Sequence, residues 1–361
     1  MPVMAAFNGG GMPFITDKLA HSGHRTALSP ESTNKNTFLS RFTFNPEAIM
    51  TQLKTHLVGQ DAAMDEIEKM LWGVKAGIGD PEKPLTVNLL LGPTGVGKTE
   101  TVRRIAWGIY GNSDAFCRID MNTLAQEHYV AALTGAPPGY VGSKEGTTLF
   151  ESEKIEGSYS RPGIVLFDEL EKASKEVIRS LLNVLDNGRL ILSNGNKTID
   201  FRNSLIFMTS NIGASEVAEQ RLRYQHRWKR WLRTTNEQTL IERALTRHFD
   251  PEFLNRIDRK LVYRSISAEH VPSLIQLELA RIQRRLSIYG ITINLTPAAE
   301  VVLMKSYDSR YGARELARAF RTLLEPPLAK ALLTSPQQRH FIIDGVNAGL
   351  QIVNNEQAVQ R

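Results

Sequence analysis

The sequence predicts an α/β fold in which a parallel sheet carries a phosphate-binding loop and is sandwiched by helices, with a smaller, mainly helical domain after it. Three observations predict this. An apolar run beginning at Leu85 stops at Gly92, and Pro93, Thr94, Gly95, Val96, Gly97, Lys98 and Thr99 follow, fitting G-x-x-x-x-G-K-[ST]. Further short apolar runs at 115–120, 163–167 and 204–209 alternate with segments of helical period. Beyond about residue 265 the pattern becomes mainly helical.

Composition bounds the function classes. The 361 residues suit two domains, and 42% hydrophobic residues suffice for a globular core. No apolar run approaches the ~20 residues of a membrane span. The first residues lack an early basic cluster, and glycines break their apolar run, which argues against a secretory signal. The single cysteine, Cys117, excludes an internal disulfide framework and reads as a small buried apolar group. These features together point to a cytoplasmic protein. The formal charge of +6 is mild.

Residues 1–44, rich in Gly, Ser, Asn and Thr without sustained period, read as a flexible N-terminal arm or as a partner-binding segment. Structure is expected from Asn45-Pro46. Ile49, Leu53 and Leu57 mark one helix, and Ala63, Ile67, Met70, Leu71 and Val74 a second. Gly79-Asp80-Pro81 and Pro84 lead into the phosphate-loop strand. A triphosphate needs several converging backbone N–H groups, hence the glycines. Lys98 supplies a point charge and the Thr99 hydroxyl a Mg²⁺ ligand. Val102, Ile105, Ala106 and Ile109 then recur at helical spacing, so the loop opens a helix whose N-terminus favours anions.

The next strand, 115–120, precedes a Gly/Pro-dense loop, Gly135 to Gly142, with Tyr140 and Val141 at its tip. From residue type alone, Tyr140 either tucks onto the domain or is presented for binding. The strand 163–167 ends in Asp168-Glu169, which puts two carboxylates at the sheet edge where α/β proteins bind ligands. Asp168 would hold Mg²⁺ and Glu169 would activate the attacking water. The alternative is an acidic cap on a helix expected over Leu170–Leu185. Asp186–Arg189 and Ser193–Asn196 are turns consistent with a hairpin. Strand 204–209 brings Asn211 to the same edge, where it can orient a water.

From Gln220 to Arg233 the chain reads QRLRYQHRWKRWLR, six basic residues around Tyr224, Trp228 and Trp231. This is either a solvated surface helix or a contact for acidic protein or nucleic acid. A short strand is expected near Leu261–Tyr263. In the second domain, a helix through Ile275, Leu279, Ile282 and Leu286 ends at Gly290, and a strand runs from Ile291 to Leu295. Thr296-Pro297 starts another helix, Tyr311–Arg314 opens one broken at Pro326-Pro327, and a final strand covers Phe341–Asp344.

Taken in order, VGQ (58–60), GPTGVGKTE, GAPPGYVG, FDELEKA, LDNGRL, DFRNSLIFMTSN, FLNRID and YGAREL resemble the AAA+ ATPases of the Clp unfoldase and disaggregase family. The likeness is greatest to the second ATPase domain of ClpB and runs from about His56 to Val353. It implies an AAA+ large domain over 45–264, a small C-terminal lid domain over 265–353 and a polar tail over 354–361. It also implies ATP and Mg²⁺ as ligands. Val58 and Gly59 would flank the adenine, and Pro93 to Glu100 would hold the phosphates. Asn211 matches sensor 1, and Arg314 matches sensor 2, a residue of both the nucleotide site and the catalytic set. Arg256 matches the arginine finger that reaches the next subunit's nucleotide, which implies a homo-oligomer, by family precedent a hexamer. Gly139, Tyr140, Val141 and Gly142 match the pore loop that grips a polypeptide substrate.

The sequence also departs from the family. No first ATPase domain, middle domain or folded recruiting domain matches, so a single-ring form is expected. From Ala214 to His248 no glycine occurs, so the Ile-Gly-Leu/Phe tripeptide that docks the ClpP peptidase has no counterpart there. ClpP-type docking is thereby disfavoured, and Arg221–Arg233 or the arm becomes the candidate surface for a dedicated partner. Nucleic acid is the less favoured partner, because GYVG suits peptide and the basic run lies outside the shared motifs.

Overall fold

The computed structural model describes residues 38–125, 149–191, 198–214, 216–217, 237–346 and 349–353. The Gly139–Gly142 motif, the Arg221–Arg233 segment, the Ser193–Asn196 turn, the polar tail and the first 37 residues lie outside the described residues.

The chain divides into two compact units. The first takes residues up to Leu53, Ala63–Leu91 and Thr99–Leu261; the second takes Lys54–Ala62, Gly92–Lys98 and the chain from Val262 on. The expected division into consecutive stretches at 264/265 is therefore interleaved. The cause is local bonding. The Gln60 amide donates to Arg264 O and accepts from Arg264 N, both at 2.9 Å, and Ala313 N donates to Gly95 O at 3.0 Å. These bonds tie two early segments to the C-terminal unit.

The first unit begins earlier than the arm boundary at residue 44 allows. Phe42 and Phe44 are buried, Arg41 donates to Tyr159 O at 3.0 Å and Asn203 Oδ1 at 2.8 Å, and Lys75 donates to Phe44 O at 2.7 Å. Two phenylalanines, four and two residues before a helix start, were a core signal hidden by the polar run before them. The helices α1 (Pro46–His56) and α2 (Asp61–Ala76) follow, and α2 buries all five apolar positions expected of it.

A five-stranded sheet forms the centre, from β1 (Thr86–Leu91), β2 (Cys117–Asp120), β3 (Gly163–Asp168), β6 (Ser204–Ser210) and β7 (Arg259–Val262) in the order β2-β3-β6-β1-β7. The β2–β3, β3–β6 and β6–β1 pairs are parallel. β1, β3 and β6 are buried at every position, as their unbroken apolar runs require of strands covered on both faces. Flanking elements include α3 (Lys98–Tyr110), α4 (Ser152–Glu156), α5 (Lys175–Asn187), α6 (Glu237–His248) and α7 (Pro251–Leu254). β4 (Arg189–Ile191) and β5 (Thr198–Asp200) pair antiparallel, the expected hairpin.

One expected helix is split. Leu170–Lys172 is a single 3-10 turn, and α5 starts afresh after Ser174, whose hydroxyl accepts from Val177 N at 3.3 Å.

The second unit is built on α8 (Val271–Ser287), α9 (Pro297–Lys305), α10 (Ala313–Ala319) and α11 (Glu325–Thr334), with β8 (Thr292–Leu295), β9 (His340–Val346) and β10 (Gly349–Val353) in one sheet. Ile275, Leu303, Leu316, Leu324 and Ile343 form its core. Thr296 caps α9 as expected, accepting from Ala299 N at 3.2 Å. Pro326-Pro327 does not break the helix. Phe320–Leu324 forms a π-helical turn joining α10 to α11, and the prolines fall in the first turn of α11, where missing N–H groups cost least. Among the described residues no helix is long and apolar enough to cross a membrane.

Candidate nucleotide site

The phosphate loop leaves β1 at Gly92 and enters α3 at Lys98. Gly95 has φ +74, and a Cβ there would stand 2.1 Å from Tyr311 O, so no other residue fits. Tyr311–Arg314 thus lies directly on the loop within the second unit, Ala313 N closing the contact on Gly95 O. The Lys98 ammonium is buried and donates to Gly92 O and to Pro93 O, the latter at 2.9 Å. Its charge is held inside the curl of the loop. The N-terminus of α3 brings the positive end of the helix dipole to the loop. The Glu100 carboxylate turns to Arg104 at 2.5 Å, one helical turn on.

Val58 packs on the core of the second unit. Gly59 has φ +72, and a Cβ there would stand 2.7 Å from the His270 ring. The Gln60 clasp on Arg264 fixes this turn; sequence reading gave Gln60 no such role. Arg314 lines a cavity of about 490 Å³ in the same unit, with Thr94, Tyr311, Arg318 and Arg321.

In the first unit, register brings the acidic pair and Asn211 to one sheet edge. Leu91 pairs with Ser210, and Phe167 with Met208. Asp168 is buried; its Oδ1 accepts from Thr209 Oγ1 at 2.5 Å and its Oδ2 from Arg118 Nη2 at 2.6 Å. Glu169 has φ +59, the one non-glycine residue in the left-handed region among the described residues. Such backbone costs of order 1–3 kcal/mol and persists where surroundings impose it, here a bond from Glu169 N to Thr209 Oγ1 at 3.0 Å. The Glu169 side chain makes no cap bond, so the acidic-cap alternative finds no support. Asn211 N donates to Glu171 Oε1 at 3.2 Å. Thr209, Arg118 and Glu171 are thus neighbours of this edge that sequence reading missed; a polar residue inside the apolar run SLIFMTS was the signal for Thr209.

Arg256 lies 2.5 Å from Asp186 and 3.0 Å from Glu252. Hydrogen bonding to Asp186 foremost, with Glu252 beside it, raises its pKa above the ordinary arginine value.

The residues fit a magnesium nucleotide. In the second unit the loop glycines Gly92, Gly95 and Gly97 take positive φ, a Cβ on them meeting Tyr263, Tyr311 and Leu57; in the first unit Thr99 and Asp168 offer one hydroxyl and one carboxylate. Mg²⁺ shared with phosphates takes such a set of few, hard oxygens.

A parallel sheet bearing this loop and this acidic edge defines a P-loop ATPase of the AAA+ class. The family described as the AAA domain (Cdc48 subfamily) matches residues 83–260, and the C-terminal, D2-small domain of ClpB protein matches 266–341. The chain is 47% identical over 325 residues to the ATP-dependent protease ATP-binding subunit-like protein AmiB of Pseudomonas aeruginosa, covering 88% of this chain and 85% of that one. It is 44% identical over 326 residues to an ATP-dependent protease ATP-binding subunit-like protein of Rhodococcus erythropolis, covering 89% and 92%. To the chaperone protein ClpB of Vibrio vulnificus (strain YJ016) it is 39% identical over 313 residues, covering 85% of this chain and 34% of that one. The chain belongs to the Clp-family AAA+ ATPases, resembles the second ATPase domain of ClpB, and is an ATP-hydrolysing enzyme. It spans about a third of the length of the ClpB relatives.

Proposed function

We propose that the protein is an ATP-driven remodelling chaperone of the cytoplasm that threads polypeptide through the pore of a homo-hexamer. The observation that carries the catalytic part is Glu169, held in a strained left-handed conformation beside Asp168 at the end of β3. The motifs and family membership support the rest.

In this reading Pro93–Glu100 hold the phosphates, and Val58 and Gly59 the adenine. Thr99 and Asp168 would hold Mg²⁺, which when bound neutralises charge on the β- and γ-phosphates. Lys98 adds a fixed positive charge. Glu169 takes a proton from the attacking water and Asn211 orients that water. Arg314, and Arg256 from a neighbouring copy, stabilise charge on the transferring phosphoryl group, an effect worth roughly 10³ or more in rate for such fingers. Tyr140, between Gly139 and Val141-Gly142, grips the substrate by largely non-directional area burial, which tolerates varied sequence.

The test is a trap. Glu169→Gln is expected to bind ATP and assemble, yet lose turnover and retain substrate proteins; normal hydrolysis would refute the assigned base. A second reading is a dedicated assembly or disassembly factor for one complex. The Arg/Trp-rich Arg221–Arg233 run favours it, because it stands where other family members carry a docking loop. Unrelated unfolded proteins stimulate ATP turnover in the first reading and fail to do so in the second.

A further inference from the structure

Arg118 stands opposite Leu166 in the β2–β3 register, two residues behind the position opposite Asp168. Two strand residues span about 7 Å, within the reach of an arginine side chain laid along the strand. Its Nη2 and Nε donate to Asp168 Oδ2 at 2.6 and 3.1 Å. With Thr209 on Oδ1, both oxygens of Asp168 are engaged. The residue opposite Asp168 is Asp120, whose Oδ1 accepts from Asn122 N at 3.0 Å in its own turn and so leaves Asp168 to Arg118. The two partners differ in exposure. The Arg118 side chain is 50% exposed and that of Asp168 10%. The guanidinium can therefore swing into water without opening the core, whereas the carboxylate stays.

We propose that Arg118 is a resident cation on Asp168 Oδ2, and that Mg²⁺ takes this oxygen only by displacing it, so that Arg118 sets the magnesium concentration at which nucleotide binds productively. It is a positioning residue that acts through Asp168. The inference rests on the reading of Asp168 as a Mg²⁺ ligand, and the experiment separates the two.

Binding of a fluorescent ATP analogue is titrated with Mg²⁺ for four proteins: wild type, Arg118→Gln, Arg118→Lys and Asp168→Asn. A charge-assisted bond at a half-exposed site contributes modestly, so Arg118→Gln is expected to lower half-saturating Mg²⁺ roughly three- to tenfold. Arg118→Lys keeps the charge but not the fork and is expected between the two. Should the glutamine variant not fold, the lysine variant decides alone, by a fall of about twofold or no fall. An unchanged or raised Mg²⁺ requirement in the Arg118 variants, with Asp168→Asn blunting the Mg²⁺ response, overturns the proposal alone. A normal Mg²⁺ response in Asp168→Asn removes the metal-ligand reading beneath it.

Discussion

Glu169 and Gly95 show how single residues define this chemistry. One accepts a left-handed backbone at a cost, and the other is the residue for which such backbone is free. A Cβ at Gly95 meets Tyr311 O at 2.1 Å as well as a disfavoured φ. Gly95→Ala is therefore expected to weaken nucleotide binding about tenfold or more while the chain stays folded. A titration with labelled nucleotide checks it, with circular dichroism as the folding control; undiminished affinity would sink the argument. Cys117 is the small buried group its context suggested: it is fully buried, and burial foremost pushes its thiol pKa up. The phosphate loop was legible because its residues are contiguous. The Arg118–Asp168 pair was not, because fifty residues separate the partners and only strand register joins them.

Among the elements, parallel strands were the most legible, since burial on both faces leaves unbroken apolar runs. Caps were less so. Leu170–Leu185 carries an apolar period throughout, yet Ala173 is extended and Ser174 restarts the helix. A serine before Lys-Glu-Val was a start signal that the period obscured. Ser174→Ala is expected to cost about 1 kcal/mol, read as a lower urea midpoint. No shift would mean that the cap bond adds nothing to α5. The double proline misled in the opposite direction, because both prolines fall in the first turn of α11, directly after a π turn. β10 escaped notice since Gly349–Val353 is short and only partly buried, and it is stabilised by pairing with β9.

For the whole molecule, the order of the eight motifs carried the family assignment and hence the two-part architecture. The interleaving of the units was invisible in that order, because it depends on hydrogen bonds from Gln60 and Ala313 across long sequence separations. The proposed coupling of hydrolysis to threading is a property of the assembly, and Tyr140→Ala tests it there. That variant is expected to hydrolyse ATP at close to the parent rate and to lose unfolding of a tagged fluorescent substrate. Undiminished unfolding would remove the pore-loop role.

The docking of Arg41, Phe42 and Phe44 has a geometric consequence. It pins the chain at one spot on the first unit, beside Tyr159 and Asn203. The preceding 37 residues join the first unit at that point, and at 3.3–3.6 Å per residue covalent geometry limits their reach from it to about 130 Å.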